Sequence, residues 1–169
     1  MSIGQSLLPD LEHEMAGTRR VLQSVTDSIL DWKAHEQSNS VGWVASHLAD
    51  IPSWADVCIN QDSFDVAPPG QPPHQTVILS SVEEILAVFD KHVELARDVI
   101  AAADDDQYFM PWSLLKGGEV QLTLPRIAVV RSFILNHNIH HRAHLCVYLR
   151  LNDLPVPGLY GPSADDSTL

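Results

Sequence analysis

PRIAVVRSFILNHNIHHRAHLCVYLRL, residues 125–151, is an apolar run that carries four histidines within eight residues and reads as one long helix. Pro125 suits its first turn, where the missing N–H would have found no partner anyway. At ~100° per residue, His141 lies ~40° round the helix from His137, so the two imidazoles sit one turn apart on one face. Such a pair can share a metal ion. His144 returns to that face and His140 lies on its flank. Phe133, Ile134, Leu145 and Val147 surround the group, which predicts a helix largely buried in a bundle with its histidines turned inward. A lone histidine on an apolar face is more commonly a hydrogen-bonded core residue or a solvated one. An isolated HxxxH also gives only two ligands, where a stable zinc or nickel site takes at least three from the protein.

The third candidate comes from an earlier helix, VGWVASHLADIPSWADVCI, with Ser40 as its N-cap. Val44, His47, Ile51 and Trp54 share one face of it, so His47 is set among large apolar residues. Pro52 has no N–H to donate and predicts a kink one turn after His47, or a division into two short helices. Asp50 is a candidate for the carboxylate that orients an imidazole, with a plain surface aspartate as the alternative. His47, His137 and His141 together would leave coordination positions open, as catalytic zinc sites do.

Around these two helices the chain reads as an all-α protein. Leu7, Leu8, Leu11, Met15, Thr18, Leu22 and Val25 predict a first helix over about 7–25, and Trp32 an anchor in the loop after it. His13 reads as solvated. Residues 61–76, with Pro68, Pro69, Pro72 and Pro73, predict a long crossover with little regular structure and an exposed His74. Ser81 and Glu84 have capping-box spacing for a third helix ending near Ala103, with Val82, Ile85, Phe89, Val93, Ala96 and Ile100 as its buried stripe and His92 as packing. Asp104, Asp105 and Asp106 stop it. MPWSLLKGGEVQLTL then predicts a small β-hairpin whose Met110, Trp112, Leu114, Val120, Leu122 and Leu124 cover one end of the bundle. Asn152, Asp153 and the prolines at 155 and 157 end the fourth helix, and an irregular tail follows. The expectation is a four-helix bundle with a long crossover between helices 2 and 3 and a hairpin before helix 4, in a single domain of residues 1–169.

A formal charge of -12 with ten scattered basic residues argues against binding to nucleic acid phosphates. No apolar stretch has the length of a membrane span and no leader pattern opens the chain, so a cytoplasmic protein is expected. Cys58 and Cys146 form no CxxC pair and read as free thiols in a reducing compartment. Cys146 falls on the side of its helix opposite His137 and reads as core. The paired Glu-x-x-His motifs of di-iron bundles are absent, Asp10 to His13 being the nearest approach, and so is the HExxH of metalloproteases.

GWVASHLAD around His47, LNHNIHHRAHLCVYLRL around His137 and His141, and the tail PVPGLYGPSADD resemble the DinB-like, or damage-inducible, four-helix proteins. That group also includes bacillithiol- and mycothiol-dependent transferases. LPDLEHEMAGTRRVL and DWKAHEQSNS look like its N-terminal segments, so the resemblance covers nearly the whole chain. It implies a divalent metal on His47, His137 and His141, and homodimers are common in the family. Many relatives read HHRGQ where this chain has His141-Arg142-Ala143-His144. His144 would then be a fourth ligand, an occupant of the substrate position, or a simple polar replacement.

Two functions follow as expectations. The first is a metal-dependent enzyme, a low-molecular-weight thiol transferase or small hydrolase. In it zinc or nickel on the three histidines activates a thiol or water against a small electrophile, with Asp50, His140 and His144 as candidate catalytic groups. The second is a non-catalytic metal-binding protein of stress response or interaction, which would lack a substrate cavity.

Overall fold

The structure is a computed structural model that describes residues 1–167; Thr168 and Leu169, the end of the expected tail, lie outside it. The described residues are mostly helical, with a small three-stranded sheet. Helix α1 spans Ile3–Gln23 and begins before the apolar periodicity does, because its cap lies further upstream. The Ser2 hydroxyl accepts from the Gln5 N–H while the Gln5 side chain accepts from the Ser2 N–H, a capping box. Pro9 sits inside this helix without ending it.

Helix α2 spans Val41–Asp50, with the Ser40 hydroxyl accepting from the Trp43 N–H. Pro52 sits in a single 3₁₀ turn, Ile51–Ser53, beyond which α3 runs over Trp54–Asn60. The expected crossover over 61–76, with little regular structure, holds one regular piece. Ser63–Asp65 form a strand, β1, which pairs parallel with β2 (Pro111–Lys116), and β2 pairs antiparallel with β3 (Glu119–Pro125). Asp65 secures this corner: its carboxylate accepts from the N–H groups of Ala67, Gly117 and Gly118. Gly117 and Gly118 both have positive φ, as a two-residue hairpin turn requires. A register irregularity between Leu114 and Leu115 takes Val120 off the covered face, so Val120 is exposed, as is Met110, while Trp112 is buried.

Helix α4 spans Val82–Ala102 and buries Ile85, Phe89, Ala96 and Ile100, with Val82 and Val93 only half-buried. The Ser81 hydroxyl accepts from the Glu84 N–H as expected, but the Glu84 carboxylate closes on the Ser80 N–H and hydroxyl, one residue earlier. The acidic run does more than end this helix: Asp105–Phe109 form a short helix, α5, whose early carboxylates suit its positive end. Asp105 also accepts from the Ile3 N–H, tying α5 to the start of α1.

The expected long C-terminal helix is a continuous helical run with a widened middle. Arg126–Val129 (α6) leads into a π-helical segment, Val130–Asn136, and then into α7, His137–Leu151. Helix α7 packs on α1 and on α2, and both of these also pack on α4. Two i, i+4 pairs offset by one residue divide the α7 surface. Asn138 and Arg142 continue into buried Leu145 and Leu149, and point to α1; His137 and His141 lie about 100° round and point to α2. Val147, expected near the histidines, is exposed instead. Cys146 is half-buried against the core.

The α1 side of α7 is polar and buried. Arg142 is 2% exposed; its guanidinium donates to the Glu14 carbonyl at 2.9 Å, the Glu14 carboxylate at 2.6 Å and the Tyr160 hydroxyl at 2.7 Å. Thr18 donates to the Asn138 side-chain carbonyl at 2.5 Å. No helix among the described residues is long and apolar enough to cross a membrane.

Removing one partner of a buried ion pair strands the other, whereas an exposed pair contributes little. Arg142→Met is therefore expected to cost about 3–5 kcal/mol in urea unfolding. Arg19→Met, which removes a half-exposed pair with Asp90, is expected to cost less than about 1 kcal/mol. Equal losses would contradict this ranking.

Candidate metal centre

Helices α2 and α7 bring His47, His137 and His141 together as a group that can hold a metal ion. The Nε2 atoms of His137 and His141 are 2.9 Å apart, and those of His47 and His137 are 3.4 Å apart. An ion ~2.0–2.1 Å from each imidazole nitrogen would separate them by ~2.9 Å at a right angle and ~3.4 Å at the tetrahedral angle. The spacing fits one ion between them. Without a cation, nitrogen lone pairs would face one another at these distances, with protons for only some of them.

Neighbouring groups fix the rings. His47 Nδ1 lies 2.9 Å from the Thr76 hydroxyl, which leaves its Nε2 free to face the group. Trp43 stacks on His47 with centroids 4.6 Å apart, and Trp54 stands edge-on to His47 at 5.4 Å and tilted to His137 at 5.3 Å. His137 follows directly on the π-helical segment, one turn after Phe133. π-Helical turns are frequent at functional sites because they re-aim the side chains beyond them. His141 Nδ1 is buried with no hydrogen-bond partner among the described residues.

Burial disfavours the protonated rings. Burial first, then the neighbouring His137, brings the His47 pKa down to about 4. Burial, followed by His47 and His137, brings His141 to about 3. Burial and then His140 lower the His137 pKa, with the Phe133 backbone carbonyl, which favours the protonated ring, opposing them. Neutral imidazole is the form that ligates.

Residues 10–145 match the model of the DinB superfamily. The chain belongs to that superfamily. It is 24% identical over 159 residues to the uncharacterized protein YrdA of Bacillus subtilis strain 168, spanning 94% of this chain and 89% of that one. Among solved structures, a DinB-like protein from Bacillus cereus ATCC 10987 superposes with a TM-score of 0.72 at 18% identity, covering 92% of this chain and 97% of its own. The DinB-like protein YjoA of Bacillus subtilis gives 0.61 at 14% identity, covering 87% and 95%. At these identities the likeness speaks for the fold.

None of the remaining expected residues of this DinB superfamily chain joins the group made by His47, His137 and His141. The Asp50 carboxylate accepts from the Ser53 hydroxyl and the Trp54 indole N–H, at 3.2 and 3.1 Å. It positions an indole, and Thr76 stands where an orienting carboxylate was expected. His140 and His144 are exposed, with ring centroids 4.4 Å apart, and form a second possible group with His141. His144 thus stands outside the group made with His47. His92 packs as expected, its Nδ1 2.9 Å from the Ala49 carbonyl. Exposed His74 lies edge-on to Phe64.

A cavity of about 360 Å³ adjoins the centre at His137 and Asp50. Trp54, Val57, Phe64, Trp112, Leu114 and Phe133 supply most of its wall. Cys58 also lines it, but burial pushes the thiol up to about 12, so it stays protonated and serves as apolar wall.

The lowered pKa values carry a sign. For His47 and His141 the folded values, about 4 and 3, lie below the ordinary 6.5, so the unfolded chain binds more protons between them. Metal-free protein keeps this contribution above about pH 6.5 and loses it as the pH falls toward 4. In chelator, the Tm of the native chain is expected to fall more steeply over this interval than that of His47→Gln. Parallel curves would contradict the assignment.

Proposed function

We infer that the chain is a metal-dependent enzyme of the DinB superfamily in which His47, His137 and His141 hold one divalent ion, zinc or nickel by ligand chemistry. The observation that carries this reading is the convergence of the three Nε2 atoms from two helices. When bound, the ion supplies Lewis acidity that lets a thiol or a water lose its proton near neutral pH. The protein's own part is positional. Thr76 sets the orientation of the His47 ring, Trp43 and Trp54 wall the group, and the cavity beside His137 offers room for a small electrophile. The reaction class is thiol transfer or hydrolysis. A non-catalytic metal-binding protein has no need of such a cavity, which favours the enzyme. As parts of the same proposal, the four longer helical runs form a four-helix bundle in a single domain, and the chain works as a cytoplasmic homodimer.

Elemental mass spectrometry of tag-free protein is expected to give about one equivalent of metal, absent in His141→Ala. Thr76→Val is expected to weaken affinity about 10–100-fold while leaving one site. No metal in the native chain after incubation with zinc or nickel would end this reading. With metal bound, a thiol and an electrophile should be consumed only by the loaded protein.

A further inference from the structure

The cavity beside the histidines has a one-sided character. Its wall is mostly aromatic and aliphatic, with His74 and His137 also on the lining, and no lysine or arginine among the described residues contributes to it. The one formal charge on the lining is Asp50, an anion, and its carboxylate already accepts from Ser53 and Trp54. Lys116 and Arg131, each two residues from a wall residue, are exposed and stand outside the lining, and Arg126 is buried and committed to the Ile59 carbonyl and to Asp62. The whole chain carries a net charge of -12, so its field also opposes anions. A ligand carboxylate buried against this wall, away from the metal position, would lose water with no lysine or arginine to pair with, a costly burial. An apolar group would lose nothing and gain contact with Trp54, Phe64, Trp112 and Phe133. The volume holds on the order of ten to fifteen non-hydrogen atoms at interior packing density.

We propose that this cavity takes a neutral, largely apolar small molecule, aromatic or branched aliphatic, with a single metal-ligating head group at the His137 end, and that it rejects carboxylate-bearing thiols. The proposal rests on the metal reading for the head group alone; the preference for a neutral apolar body belongs to the wall. The low-molecular-weight thiol expected from the family resemblance is therefore admitted only if it is uncharged apart from its thiol.

The two parts are tested separately. In metal-free protein, 4-nitrotoluene should quench tryptophan fluorescence saturably, through Trp54 and Trp112 on the wall, and 4-nitrobenzoate should need at least tenfold higher concentration. Val57→Phe, which fills the cavity, should remove the saturable component. Equal quenching by the two probes, or quenching that survives Val57→Phe in a variant with native-like unfolding, would overturn the proposal whatever the metal result. In zinc-loaded protein, calorimetry with three thiols of one head group then tests the His137 end. Benzyl mercaptan should bind at least tenfold more tightly than mercaptosuccinate, a dianion, and than cysteamine, a cation. Val66→Lys, which adds a cation to the lining, should narrow the gap to mercaptosuccinate. Tighter binding of either charged thiol by the native chain would overturn the proposal. Failure of zinc itself to bind would instead overturn the metal reading, and the quenching result would stand alone.

Discussion

The Arg142 guanidinium, buried between α7 and α1 and tied to Glu14 and Tyr160, fixes the rotation of α7 about its own axis. Turning the helix would strand a charge in a low-dielectric interior, a penalty of several kcal/mol, so the position is strongly determined. Asn138 and Thr18 repeat the constraint one turn earlier. Gly17 makes room for it: a Cβ there would lie 2.8 Å from the Arg142 Nη1 atom. With Arg142 and Asn138 committed to α1, the residues one position back, His141 and His137, are turned to α2. The three-histidine group thus depends on a polar lock it does not contain.

The opposite half of the centre depends on Pro52 and the turn it imposes. Helix α2 carries His47 to the group, and the 3₁₀ turn after it re-aims the chain so that Trp54, bonded to Asp50, stands between His47, His137 and the cavity. The π-helical segment does the same for α7, ending directly at His137 and setting the Phe133 side chain on the cavity. Irregular backbone on both helices therefore meets at one place. The carbonyls of Val57 and Ile59 near the end of α3 are taken up by Trp112, Gln107 and Arg126, which fastens the sheet and α6 to that wall. What results is an apolar chamber next to neutral imidazoles, within an acidic protein.

What the sequence made legible was local. The i, i+4 spacing of His137 and His141, the cap at Ser40, the break at Pro52 and the Gly117-Gly118 turn are each written within a few residues, and each stands in the structure. His47 was found because its helix is periodic enough to show which face is apolar. Thr76 was missed because it meets His47 from 29 residues away, in a segment whose prolines read as unstructured. The parallel strand β1 escaped for the same reason, its partner lying about fifty residues on. Arg142 finds Glu14 across 128 residues, a pairing that no local pattern announces. Asp50 was given an imidazole it does not touch, because Trp54, four residues on, claims its carboxylate. The π-helical segment has no marker in composition that periodicity could detect.

X-ray absorption of the zinc-loaded protein addresses the central claim most directly, since it reads the donor atoms themselves. The account predicts a first shell at ~2.0–2.1 Å with the outer-shell scattering of three imidazoles and no sulfur from the protein. One or two imidazoles, or a sulfur at ~2.3 Å from Cys58 or Cys146, would contradict it.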